Sequence, residues 1–142
     1  MIANSAGTLA VRGIEAFNRA DWDALRELCS PSVVYTETGT GLRLEGMDAC
    51  DAAWHAWRVA MPDLTGTVMR TLEEGDVAAI EIRWVGTQTG PLATPDGEIP
   101  ATGRRMEIVS TQWVTARDGH TQAIDHHLDV MGIMSQLGVL PG

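Results

Sequence analysis

The sequence predicts an α+β fold. Apolar residues recur at three- and four-residue steps over most of the stretch from Ala6 to Met61. From Thr65 the pattern changes to strict alternation. Turn signals such as Glu73-Glu74-Gly75-Asp76 and Asp118-Gly119 cut the alternating part into successive strands. Helices first and an antiparallel meander afterwards describe a segregated α+β domain.

The elements follow in order. Ala6, Leu9, Ala10, Gly13, Ile14 and Phe17 share one face of a first helix. Asp21 caps a second, short helix carrying Trp22, Leu25, Leu28 and Cys29, and Pro31 closes it. Val33–Thr38 is β-branched and aromatic, a short strand, and Gly39, Gly41 and Gly46 mark the turn after it. A third helix runs from Met47 to Met61, with Cys50, Ala53, Trp54, Trp57 and Met61 on one stripe, and Pro62 stops it. Thr65–Thr71 and Val77–Thr87 are strands; on the second, Ile80, Ile82 and Trp84 oppose Glu81 and Arg83. Gly90–Gly103, with three prolines and three glycines, reads as a long loop that could cover a pocket mouth. Arg105–Ala116 and Thr121–Leu128 are the last strands. A closing helix, Val130–Leu137, ends at Gly138 with Pro141 beyond.

Composition narrows the function. A chain of 142 residues suits one domain, 1–142, and a core that needs no staples. Ten arginines, no lysine and nineteen acidic residues give a net charge of −9. An acidic chain without a basic cluster argues against nucleic acid and anionic membranes. The absence of lysine excludes Schiff-base chemistry through that residue. No glycine-rich phosphate loop or dinucleotide fingerprint is present, so no cofactor is implied. Cys29 and Cys50 read as reduced core thiols. No apolar run is long enough for a membrane span, and Met1–Asn4 does not begin a signal peptide. The expectation is a soluble, cytoplasmic domain.

Several stretches, in order along nearly the whole chain, carry a resemblance. They are Ala20-Asp21-Trp22-Asp23-Ala24-Leu25, Pro62-Asp63-Leu64, Gly86-Thr87-Gln88-Thr89-Gly90, Thr102-Gly103-Arg104-Arg105, Asp118-Gly119, and Asp129 with Gln136-Leu137-Gly138. Together they resemble the SnoaL-like polyketide cyclases, of the superfamily that includes ketosteroid isomerase and nuclear transport factor. The resemblance implies a cone: a curved antiparallel sheet wrapped around helices, with a pocket at its open end. It also implies homodimers formed through the convex sheet face, and an intramolecular aldol closure that uses no metal and no cofactor. Aligned on Asp118-Gly119 and Gln136-Leu137-Gly138, the family's acid/base aspartate falls on His126. Its assisting glutamine and histidine fall on Ser110 and Gln112.

Strand parity agrees in placing Ile124, His126 and Leu128 on the concave face. An imidazole in an apolar pocket can take and return a proton near neutral pH. Gln112, with Ser110, can hold a substrate oxygen, and Gln112 can stabilise an enolate; the two can equally form an internal network to His126. Tyr35 and Glu37 share a face of the first strand. Glu37 is either a pocket carboxylate relaying protons with His126 across the cavity or a solvated group at the rim. Tyr35 reads as pocket wall. Trp54, Trp57 and Met61, joined by Trp84 and Met106 from the sheet, would line a cavity suited to a flat or polyene ligand, or simply pack the core. Asp125 and His127 fall on the face opposite His126, so no metal site is expected. Trp113, with Val109 and Thr111, marks the expected subunit interface.

The sequence therefore points to a cofactor-independent cyclase or isomerase acting on a small, apolar, polyketide-like molecule, through an aldol, pericyclic or epoxide-opening ring closure. His126, Gln112, Glu37 and Asp129 are its candidate catalytic residues. Two alternatives stand beside it: a non-catalytic ligand-binding or dimerisation module of the same fold, and a lyase or hydratase using Glu37 or Asp129.

Overall fold

The computed structural model describes residues 4–140. Pro141 and the first three residues, on which two expectations above rest, lie outside them. Four helices pack with a six-stranded sheet. In chain order the elements are α1 (Ala6–Asn18), α2 (Trp22–Leu28), β1 (Cys29–Thr38), β2 (Leu42–Glu45), α3 (Met47–Ala60), β3 (Thr65–Glu74), β4 (Val77–Thr87), β5 (Leu92–Thr94), β6 (Gly97–Ile99), β7 (Arg105–Arg117), β8 (His120–His127) and α4 (Val130–Leu137).

The strand order is β2-β1-β8-β7-β4-β3, and β5 and β6 form a separate hairpin. The expectation of a wholly antiparallel sheet needs one correction. β8 lies between β1 and β7 and runs parallel to β1. The first strand is laid down before α3 and the meander, and the last strand returns beside it in the same direction. The sheet stays open, with β2 and β3 at its edges, and forms no closed barrel.

Helix α1 covers the sheet's concave face, packing on β3, β4, β7 and β8 through Leu9, Ala10, Ile14 and Phe17. Ser5 caps it by accepting from the Thr8 amide, and Asp21 caps α2 through the Ala24 amide. Asn18 ties α1 to the sheet edge, exchanging bonds of 2.8 and 2.9 Å with the backbone of Gly66. A Cβ on Gly66 would come within 2.7 Å of the Trp84 ring, so glycine lets the indole lie flat on β3. Trp84 in turn meets Phe17 edge-on at 5.5 Å between centroids.

Other boundaries differ for physical reasons. Helix α2 ends at Leu28, and Cys29 opens β1. Pro31 does not close the helix; it sits inside β1 where the pairing with β8 shifts between Cys29 and Val34. The irregular stretch does not require the ladder hydrogen bond that proline cannot donate. Leu42–Glu45 is a strand, not part of a turn, and its alternation of leucines with Arg43 and Glu45 was the available signal. β3 runs on to Glu74, leaving Gly75 and Asp76 as the turn. The long loop after Gly90 contains the β5–β6 hairpin.

Both cysteines are buried and unpaired. Burial pushes the Cys29 thiol up to about 12 and raises that of Cys50 too, so both are packing groups. No helix is long and apolar enough to cross a membrane among the described residues.

Candidate active site

Register assembles the site. The parallel β1–β8 pairing sets Glu37 opposite His126, and the antiparallel β8–β7 pairing sets His126 opposite Gln112. The three side chains form one row across three adjacent strands, and all are buried. Tyr35, two residues before Glu37, shares its face. Asp125 and His127, one step either side of His126, point the other way and bond Thr36 and Thr38.

A single chain of hydrogen bonds links these groups. The Trp84 indole N–H can only donate, and it donates to Ser110 Oγ at 2.8 Å. Ser110 Oγ lies 2.8 Å from His126 Nε2. His126 Nδ1 lies 2.9 Å from the Tyr35 hydroxyl, which donates to Glu37 Oε2 at 2.7 Å. Glu37 Oε2 also accepts from the Trp57 indole at 3.3 Å, and Oε1 accepts from Thr40 Oγ1 at 3.0 Å. The Tyr35 end sets the direction, since its one proton goes to Glu37, and burial keeps the ring neutral. Ser110 receives from Trp84 and gives its proton to Nε2; Tyr35 gives its proton to Glu37 and receives from Nδ1. His126 is therefore the neutral Nδ1–H tautomer.

Electrostatics agree. Desolvation lowers the His126 pKa to about 3, with His127 adding to the effect. Burial first, then the neighbouring Glu37, raises the Tyr35 hydroxyl well above its ordinary range. With both nitrogens engaged and protonation opposed, His126 orients Tyr35 and is poorly placed as the acid/base anticipated from its alignment. Glu37 is also placed anew. It is 5% exposed, so it is neither a solvated rim group nor across the cavity from His126. It stands beside His126, bridged by the Tyr35 hydroxyl.

Two compartments meet at this row. The inner one is a narrow apolar cavity of about 80 Å³ under α1. His126, Gln112, Tyr35, Trp54, Trp84 and Met106 are on its wall. The outer one is a groove of about 1050 Å³ between α3, α4, β2 and the β5–β6 hairpin, with Glu37 on its wall. Trp57, Leu128 and Ile133 line both. Ala49, Ala52, Ala53 and Ala56 make the α3 wall low, which gives the groove its width.

Three anticipated site residues stand elsewhere. Met61 is fully buried beneath Gly86 and lines neither compartment. Ser110 lies behind the wall, occupied with Trp84 and His126. Asp129 is exposed and caps α4 by accepting from the Gly132 amide at 2.9 Å. Conversely, Thr40 and Gln88 were not anticipated. Gln88 is fully buried, and its amide holds the carbonyls of Gly90, Ile99 and Pro100 together with the backbone and hydroxyl of Thr102. It pins the hairpin that walls the groove. A polar residue between two threonines in a turn-rich stretch gave no periodic signal.

Comparison with known proteins gives the same fold. TsrD from Streptomyces laurentii is 26% identical with a TM-score of 0.79, covering 93% of each chain. IdmH from Streptomyces antibioticus, described as a candidate polyketide cyclase, is 27% identical with a TM-score of 0.75, covering 92% of this chain and 96% of its own. A candidate SnoaL-like cyclase from Jannaschia sp. CCS1, 20% identical, shares the fold at a TM-score of 0.80 over 99% of each chain. No curated protein is significantly similar in sequence. The model of the SnoaL-like polyketide cyclases matches residues 8–137, and the chain belongs to that family.

Proposed function

We propose that the protein is a cyclase that closes a ring within one apolar, polyketide-like molecule by proton transfer, without a cofactor. The observation that supports this reading best is the directed chain from Trp84 to Glu37, which ends on a carboxylate facing the wide groove. Glu37 takes a proton from a carbon next to a carbonyl. The resulting enolate attacks a second carbonyl of the same molecule, whose oxygen accepts from the Gln112 amide. One carbon–carbon bond forms, and the proton returns from Glu37 to the new alkoxide. Glu37 and Gln112 are two strands apart, roughly 10 Å between backbones, so they act at two points of one folded chain. The tryptophans of the wall hold that fold, and holding the reactive conformer itself lowers the barrier.

The test is a synthetic aryl 1,5-diketone, whose aldol product has the same mass and a different absorbance. Glu37→Gln is expected to lower kcat by 10²- to 10⁴-fold, the usual range for a general base. His126→Gln is expected to lower kcat less and leave KM near its wild-type value. Equal activity in Glu37→Gln and wild type refutes the assignment. A non-catalytic binding module is favoured by one fact: the side chains from Trp84 through His126 to Glu37 already bond one another. On that reading the diketone binds and is recovered unchanged.

Two exposed apolar groups on the convex face, Val109 and Trp113, support a homodimer as part of the same proposal. Leu72 lies in the same cross-strand row as Trp113, through Ala79, and is also exposed.

A further inference from the structure

We infer that the ligand is a single elongated molecule without negative charge, which spans both compartments by turning Trp57 aside. This deepens the reading of the site as a ligand pocket and rests on it. Three observations carry it.

The first is size. The inner cavity, about 80 Å³, has room on the order of five water-sized atoms. It takes the narrow end of a chain that carries the carbonyl, and the ring itself closes at the junction with the groove. The groove, at about 1050 Å³, takes the remainder. A ligand that reaches Gln112 must therefore be narrow at one end and can be bulky at the other.

The second is the partition. Trp57 is shared by both compartments and only half-buried. Its bond to Glu37, at 3.3 Å, is the longest that the carboxylate makes with a side chain. When the indole swings away, Glu37 keeps Tyr35 and Thr40 as donors, and a ligand hydroxyl can take the vacated place. The alanine face of α3 beside Trp57 leaves space for the movement.

The third is charge. Among the described residues, no arginine or lysine lines either compartment. His126 adds no positive charge, because its burial opposes protonation. The groove instead presents three acidic side chains, Glu37, Asp96 and Glu98. A carboxylate or phosphate entering it would lose its water, find no cation and face like charge. A neutral chain meets none of these penalties.

The experiment compares all-trans-farnesol with all-trans-farnesoate at pH 8, by quenching of intrinsic tryptophan fluorescence. Imidazole resonances of His126 are followed in parallel by NMR. The alcohol is expected to bind at least tenfold more tightly than the carboxylate and to shift the His126 signals. Ala56→Arg, which puts a cation on the α3 wall of the groove, is expected to reduce the alcohol's advantage at least tenfold. Equal or reversed preference in the wild type, or an unchanged ratio in Ala56→Arg, overturns the charge argument. An alcohol that binds without moving the His126 signals stays in the groove and overturns the spanning argument. If neither compound binds, the ligand-pocket reading falls with the inference.

Discussion

Acid should destabilise this protein through His126. In the folded chain burial holds the imidazole pKa near 3; unfolded, it returns to about 6.5. The folded value is the lower one, so the unfolded state binds more protons throughout the interval. The contribution is fully present above pH 6.5 and drains away as pH falls toward 3. Between pH 7 and pH 5 the loss from this one group is about 2 kcal/mol, and by pH 3 it is about 4 kcal/mol. That is a large part of the total of roughly 5–15 kcal/mol available to a domain. The measurement is urea unfolding of wild type and His126→Gln at pH 7 and pH 5. All carboxylates titrate alike in both proteins, so the difference of differences isolates the imidazole. Wild type is expected to lose about 2 kcal/mol more than the variant on acidification. A gap under about 0.5 kcal/mol, the limit of such comparisons, refutes the neutral, buried histidine. An NMR titration gives a direct view: the ring should keep its proton on Nδ1 and stay neutral at pH 5.

Three further outcomes are expected. Tyr35→Phe removes the hydroxyl between Glu37 and His126. It leaves a buried N–H without a good partner, so unfolding experiments should show a loss of about 2–3 kcal/mol, with kcat falling more than KM changes. Gln88→Ala strips the buried amide that ties residues 88–102 together. Limited proteolysis should then cut the β5–β6 hairpin several-fold faster, at a stability loss of about 2–4 kcal/mol. Trp113→Glu should turn the proposed dimer into monomer in analytical ultracentrifugation while leaving the circular dichroism spectrum unchanged.

The fold was largely legible because its elements carry clean periods. The alternation of Ile80, Ile82 and Trp84 against Glu81 and Arg83 survives in the structure unchanged. Strand parity likewise placed His126 inward and Asp125 and His127 outward. Long-range pairing was not legible. Nothing local tells β8 to lie beside β1, and that one choice makes the sheet mixed and brings Glu37 next to His126. Hydrogen-bond direction was not legible either. Alignment put His126 where an acid/base stands, but only the positions of Trp84 and Glu37 reveal that both ring nitrogens are already engaged. Met61 lay on the right helical stripe and was still wrong for the cavity, because the chain turns at Pro62 and carries it beneath Gly86. Asp129 was claimed by a local need, the N-cap of α4.

The insertion of β8 between β1 and β7 also governs when the protein becomes itself. Tyr35 and His126 are 91 residues apart in sequence and bonded in space. On the ribosome β1 emerges early, with β2 on one side and its other edge open. It waits there until α3 and the strands β3 to β7 have been synthesised and β8 follows. Until then the sheet has a gap in its middle, and neither Glu37 nor Gln112 has the neighbour that completes its row. Closure over so long a loop is slow, and an unpaired edge is exposed while it lasts. A chain that stops before His120 lacks the centre of its sheet as well as its chemistry. Folding and acquisition of the site are thus one late event, set by the arrival of a single eight-residue strand.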